Sequence, residues 1–488
     1  MLFNSPKFLF LFVPIFFAIY LLADKKYRRI IGLVGSVLFF ASFQLFYLPL
    51  IVGFIFWNYW FGIHLAKDTE EKVAKRNMWL GVGGNLLLLA GFKFLTTYGI
   101  DWVPDSLSPA LSPVVEYLGA LKFPLGLSYI SFQAISYLVD VHRQRDQVEL
   151  NFVNFALYIM LFPKILVGPI SRYKTVVKAF PAPDPSADDV ANGIRRFVQG
   201  LAKKILLADT LALFVDAAFR IGPRSLTIEL AWLAVIAYTL QIYFDFSGYT
   251  DMALGLGKMM GFSLEENFKF PYIAESIGEF WRRWHISLSN WFRDYVFFPL
   301  ERKRRRWGFR YYGQAINVMI VFLLTGLWHG ITKTFIAWGL LHGVFIALEN
   351  LFLNRLLKKT FRPVRHLYLL ITISMTWIVF RAPNLKFAWV YLLRLLGLLG
   401  QYVPVPFSES SPLPFVEPSF LIALLIGIVL SMPASMWFSA IKQKVELRYS
   451  SVSMPIQLIT DFFVLLSLIA SIAFMVSRSF QPGIYSNF

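Results

Sequence analysis

Only six histidines occur in 488 residues, and two of them, His329 and His342, fall in LLTGLWHGITKTFIAWGLLHG (Leu323 to Gly343), a stretch that otherwise reads as membrane-spanning. A polar group without partners in hydrocarbon costs several kcal/mol, so an ionisable side chain there marks a candidate functional site. His329 shares its apolar run with no other ionisable residue, and Gly326 and Gly330 keep the nearby backbone thin enough for a partner or substrate to approach. An imidazole so placed suits general-base work, because its ordinary pKa lies near operating pH. Metal binding is a poorer explanation. Thirteen residues put His329 and His342 on nearly opposite faces of any continuous helix, and the chain has neither a His-Glu-x-x-His pattern nor a cysteine.

A second group lies in EFWRRWHISLSNWFRDYVFFPL, Glu279 to Leu300. On a continuous helix, Trp281, Trp284, Leu288, Trp291, Phe292 and Tyr295 share one face with His285 inside the stripe, and Arg283, Ser287, Asn290 and Asp294 share the other. An aromatic stripe is a packing pattern, so His285 is open between a hydrogen-bonded core residue and a catalytic one. YFDFSGYTD puts Asp245 and Asp251 at membrane depth, with Ser247, Gly248 and Tyr249 between them. These carboxylates either pair with Arg282 or Arg283 and hold the site together, or act in catalysis or ion coupling themselves. HRQRD, His142 to Asp146, has the His-x-x-x-Asp spacing of some soluble acyltransferases but lacks the glycine that follows it there, and it reads as a decoy.

The elements that must position these residues follow from composition. A chain 57% hydrophobic, 18% aromatic and 16% charged, with fifty phenylalanines over its whole length, is an all-α polytopic membrane protein with one membrane domain, 1–488. The net charge of +18 reflects positive-inside loops and anionic lipid headgroups, not nucleic acid. The N-terminal apolar run has its basic cluster after it and no small-residue cleavage site, so it is a retained first span. Basic DKKYRR and KDTEEKVAKRN loops on the cytoplasmic side place the N-terminus outside. The acidic 98–116 loop and VPVPFSESSPLPFVEP (403–418) then face outward. Residues 151–180, broken by Pro163, Gly168 and Pro169, read as a re-entrant element, and 190–207 as an interfacial amphipathic helix carrying Arg195, Arg196, Lys203 and Lys204. Residues 275–310 form a charged cytoplasmic section. The expected count is about eleven spans.

Several blocks together resemble the membrane-bound O-acyltransferase (MBOAT) family, and in order and spacing the bacterial alginate O-acetyltransferase membrane subunits. They are MLFNSPKFLF, PLGLSYISFQAISYLVDV, LFPKILVGPISRY, QIYFDFSGYTDMALGLGKMMGF, ENFKFPYIAESIGEFWRRWHISLSNWFRDYVFFPL and FLLTGLWHGITKTFIAWGLLHG. Where that type carries a Gly-Gly-Asn-Arg turn, this chain reads PLERKRRRWGFR, Pro299 to Arg310. The resemblance implies a ring of helices around a thinned centre, with a tunnel linking a cytoplasmic donor to an external acceptor. It spans a catalytic core over 1–360, and 361–488 adds C-terminal spans. His329 matches the family's catalytic histidine and His285 its second position.

On this reading His329 is the general base on an attacking hydroxyl, and His285 holds the thioester carbonyl or assists proton transfer. Trp281, Arg282, Arg283, Trp284, Ser287, Trp328, Asp245, Ser247, Tyr249, Asp251 and Asn267 surround the substrates. No cofactor or metal is bound permanently, and acetyl-CoA is the expected donor, its phosphates drawn to Arg282, Arg283 and the Arg302 to Arg306 run. Expected partners are membrane lipids and an extracytoplasmic SGNH-type acetyltransferase or acceptor protein, with a cell-surface polysaccharide as final acceptor, at the bacterial cytoplasmic membrane. The rivals are D-alanyl transfer from a carrier protein to teichoic acid, peptidoglycan O-acetylation and, from another class, a proton-coupled transporter, which would require inverted repeats and paired broken helices.

Overall fold

Backbone polar groups in hydrocarbon must be satisfied within their own segment, and helix formation does this along the chain. The computed structural model describes residues 1–99, 115–116, 119–177, 180, 183–306, 312–400, 416–434, 453–477 and 484, and these contain helices and no strand. Most of the 98–116 and 403–418 loops, the KQKVELR stretch and the end of the ERKRRRWGFR run lie outside the described residues. Six helical runs are long and apolar enough to cross a membrane, and Phe8–Leu22, Gly313–His329 and Pro418–Ser431 are shorter apolar helices. The run Lys25–Lys67 is interrupted at Gln44 (φ −145°, ψ 53°), which divides it into two helices of 20 residues. At 1.5 Å per residue each half spans about 30 Å, the thickness of a bilayer core. The expected eleven spans are not reproduced as a count by these elements.

The chain packs as two compact units. The first comprises 1–194, 253–265 and 485–488. It contains α1 (Val13–Leu22), α2 (Lys25–Gln44), α3 (Leu48–Lys67), α4 (Glu71–Tyr98), α5 (Leu127–Arg143), α6 (Phe152–Met160) and α7 (Phe162–Ile165). Helices α3 and α4 are joined by a reciprocal amide pair, Asn58 Nδ2 to Asn85 Oδ1 at 3.0 Å and Asn85 Nδ2 to Asn58 Oδ1 at 2.7 Å, which satisfies both buried amides. The span expected over 119–141 is interrupted at 121–126 and runs as one helix from Leu127, because Gly126 turns the chain at φ +81° and any Cβ there would lie 2.3 Å from the Ile165 carbonyl oxygen. The 151–180 segment is broken as expected, with Pro163 in the first turn of α7 and a fully buried Lys164 whose Nζ donates to Gln133 Oε1 at 2.7 Å.

The second unit comprises 195–252 and 266–484. Helix α8 (Ala187–Ala202) runs through a π-helical turn, Lys203–Ala208, into α9 (Asp209–Ile221), and α10 (Ile228–Met259) is the 32-residue helix that carries the YFDFSGYTD aspartates. The α8 segment meets α10 at two glycines: a Cβ on Gly200 would sit 2.5 Å from the Gly248 oxygen, and one on Gly248 2.7 Å from the Gly200 oxygen. That approach turns three of the four cations of 190–207, Arg196, Lys203 and Lys204, onto α10. Arg196 Nη2 and Lys203 Nζ each lie 2.6 Å from Asp251, and Lys204 Nζ lies 2.7 Å from Asp245 and 2.6 Å from Asp209. Asp245 and Asp251 are therefore partnered by α8 and the π turn, not by Arg282 or Arg283 as the sequence suggested.

Asp251→Asn removes the carboxylate charge from between two cations. The expected loss of stability is on the order of 3 kcal/mol, the lower end of the range for breaking a buried pair, because Arg196 keeps contact with solvent and with Glu266. Thermal unfolding in detergent measures it, and an unchanged midpoint contradicts the structural role assigned to Asp251.

Candidate active site

The expected continuous helix from Glu279 to Leu300 is two helices, α11 (Ile277–Arg283) and α12 (Ile286–Phe292), followed by a π turn and α13 (Phe298–Arg306). Local chemistry explains the start of α11. Ser276 Oγ accepts from Glu279 N at 3.1 Å, and the Glu349 carboxylate receives Ile277 N at 2.6 Å and Gly278 N at 2.9 Å. The break falls at His285, which adopts φ +43°, a left-handed conformation that a non-glycine residue holds only when its surroundings impose it.

Asn267 imposes it. Its backbone oxygen accepts from Ile286 N at 3.0 Å, and its side-chain oxygen accepts from Ser287 N at 3.1 Å and faces His285 Nδ1 at 3.4 Å. A backbone N–H can only donate, so the Ser287 bond fixes which end of the amide faces the turn, and the amide oxygen can only accept from His285. The imidazole therefore carries its proton on Nδ1 and presents the Nε2 lone pair, which is buried and has no partner among the described residues. Burial also lowers His285 from the ordinary histidine value to about 3, so it is neutral at any working pH. In this tautomer Nε2 can take up a proton and cannot donate to a carbonyl; of the two roles the sequence left open for His285, the geometry favours proton transfer.

His329 ends α14 (Gly313–His329), the first arm of a helical hairpin completed by α15 (Lys333–Leu348). At Gly326 the close approach that the sequence allowed to a partner or substrate is made by the facing helix. A Cβ there would lie 2.5 Å from the Phe335 oxygen, and one on Gly339 2.3 Å from the Phe322 oxygen, so the glycines seat the two arms on each other. Gly330 is likewise covered, by the Phe335 ring. The hairpin also overturns the expectation that His329 and His342 diverge, because they stand on separate helices. Both rings lie edge-on to Trp338 with centroids 5.0 Å away. His342 accepts a hydrogen bond from Trp281 Nε1 at 3.2 Å.

The two histidines singled out by the sequence do converge. Trp328 lies 4.7 Å from His329 and 6.1 Å from His285, so one indole separates the two imidazoles in a buried aromatic chamber. Phe380 and Phe246 close it, 5.4 Å from His329 and 4.7 Å from His285 respectively. The other candidates divide. Trp284 is core, packed on Phe268 and Trp377 with centroids 5.0 and 5.1 Å away. Arg283 is engaged by Glu279 at 2.8 Å and by the Lys269 carbonyl at 3.2 Å, whereas Arg282 is exposed. Tyr249 is buried in α10. Ser287, expected on the outer face, is buried by its bond to Asn267. Among the described residues no cluster of His, Asp and Glu has the form of a metal site.

Sequence reasoning missed Glu349 as the anchor of α11. Its signal was a lone carboxylate inside the apolar run FIALENLFL. It also missed that His342 supports Trp281.

Two buried histidines, one at the end of a helical hairpin arm and one in a strained turn, lie within a helical chain of many apolar spans, the chain of a multi-pass membrane protein. Residues 106–391 match the family model described as MBOAT, membrane-bound O-acyltransferase family, and the chain belongs to that family. It is 40% identical over 390 residues to a Pseudomonas putida protein described as "Probable alginate O-acetylase AlgI", covering 80% of this chain and 79% of that one. Identity to the Pseudomonas aeruginosa protein of the same description is 39% over 391 residues, 80% of this chain and 74% of that one. A Helicobacter pylori peptidoglycan O-acetyltransferase is 34% identical over 441 residues, covering 82% and 80%.

Proposed function

We propose that the chain moves an acetyl group from cytoplasmic acetyl-CoA to a hydroxyl on the outer side of the bacterial cytoplasmic membrane, for O-acetylation of a cell-surface polysaccharide. The observation that carries this reading is the convergence of His329 and His285 on one buried indole. His329 takes the proton of the acceptor hydroxyl as its oxygen attacks the thioester carbonyl. The new C–O bond forms, the C–S bond breaks, and the proton passes to the departing thiolate sulfur. His285, with Nε2 unprotonated, takes part as a second proton acceptor along that route. The acceptor is a hydroxyl of an extracytoplasmic SGNH-type protein that relays the acetyl group to polysaccharide, and the alginate and peptidoglycan acetylation named for the relatives supports this acceptor class. Acetyl-CoA is consumed as a substrate, and no permanent cofactor is needed. The N-terminus lies outside, and the chain acts as one membrane domain with its catalytic core in 1–360.

The test offers purified protein two labelled donors, acetyl-CoA and a D-alanyl carrier protein. Release of free CoA with ester-bound acetyl on a hydroxyl acceptor is the expected result. Turnover of the carrier protein alone would replace this reading with D-alanyl transfer.

A further inference from the structure

A cavity of about 1190 Å³ lies wholly within the second unit, larger than the roughly 300–1,000 Å³ of ordinary small-molecule pockets. Neither His329 nor His285 lines it. Part of its lining is charged. Arg196, Lys203 and Lys269 face it together with Asp251 and Glu266, a net of one positive charge. Arg196 and Lys203 are held by the two carboxylates, which leaves Lys269 as the cation with no ion-pair partner among the described residues of this lining. Ser247 also faces the cavity; it is 1% exposed, and its hydroxyl has no hydrogen-bond partner among the described residues. A buried hydroxyl of this kind is satisfied by something that occupies the space beside it.

Ile422, Ile426 and Leu430 of α16 (Pro418–Ser431) and Ala470 and Phe474 of α17 (Ser453–Ser477) give it an apolar wall. Arg195 ties this wall in place by binding Asp461 of α17 through two bonds of 2.6 and 2.9 Å.

A ligand that matches this mixed lining carries one negative charge with hydrogen-bond acceptors, and long apolar chains. We propose that this cavity is a binding site for an anionic glycerophospholipid, with its phosphodiester at Lys269 and Ser247 and an acyl chain between α16 and α17. A coenzyme A thioester would leave the apolar half unfilled. The site adjoins the His285 turn without belonging to it. Ile286 lines the cavity, and Phe246, next to Ser247, presses edge-on against His285 at 4.7 Å.

Full-length protein is stripped in detergent, exposed to phosphatidylglycerol vesicles or to phosphatidylcholine vesicles, re-extracted and weighed intact by native mass spectrometry. The expected result is one retained phosphatidylglycerol per chain and at least tenfold less phosphatidylcholine. Lys269→Glu, on an exposed side chain, and Ile426→Trp, which fills the tail end, should each lower retention about tenfold at unchanged melting temperature. Equal retention of both lipids by wild type, or phosphatidylglycerol retention unaltered in both variants, would mean annular lipid only and overturn the proposal. So would quantitative displacement of the lipid by acetyl-CoA, which would make the cavity a donor site.

Discussion

Replacing His329 with glutamine leaves a folded, inserted protein whose acyl transfer falls by about 10²–10⁴-fold, the usual contribution of a positioned general base. Glutamine keeps most of the volume that Trp328, Trp338, Phe335 and Phe380 enclose, so the chamber stays filled while the base is lost. Single-turnover transfer from labelled acetyl-CoA reads the chemical step, and thermal unfolding of the same sample reads the fold. Transfer within a few-fold of wild type, in a variant of unchanged melting temperature, removes His329 from the mechanism.

The second large effect belongs to the His285 turn. His285→Ala is expected to lower transfer by about 10²-fold. Asn267→Leu should approach the same loss without touching either histidine, because it deletes the acceptor that orients the imidazole and receives the Ser287 N–H, at a cost of about 1–3 kcal/mol. Asn267→Asp separates orientation from mere packing. The aspartate keeps an oxygen for both donors and adds a negative charge beside Nδ1, which raises the His285 pKa from about 3. A higher pKa means that the imidazole is protonated, and unable to accept a proton, up to a higher pH. The acidic limb of the pH–rate profile should therefore move upward in Asn267→Asp while activity at alkaline pH is retained. If Asn267 served packing alone, the profile would keep its position, and Asn267→Asp would lose activity equally at every pH.

The apolar runs, the broken element at Pro163 and the two tryptophan-histidine blocks were legible in the sequence, because each is written in consecutive residues. The break at His285 was not. The aromatic stripe keeps its helical period straight through it, and the demand for a turn comes from Asn267, eighteen residues earlier. The ion pairs of Asp245 and Asp251 were hidden for a similar reason. Arg196, Lys203 and Lys204 look like the polar face of a surface helix until the Gly200–Gly248 contact brings them against α10. Gly326 and Gly330 signalled close approach but not what approaches, since glycine permits a neighbouring backbone or ring as readily as a substrate. The thirteen-residue spacing of His329 and His342 misled because it assumed one helix where a hairpin folds both onto Trp338.

The central claim is acyl transfer from one side of the membrane to the other. Sealed proteoliposomes with labelled acetyl-CoA outside and an impermeant oligosaccharide with its partner acetyltransferase trapped inside test it directly. Ester-bound label on the enclosed acceptor with free CoA left outside is the expected result, and His329→Gln should give neither. Label that reaches only an acceptor supplied on the same side as the CoA would contradict it.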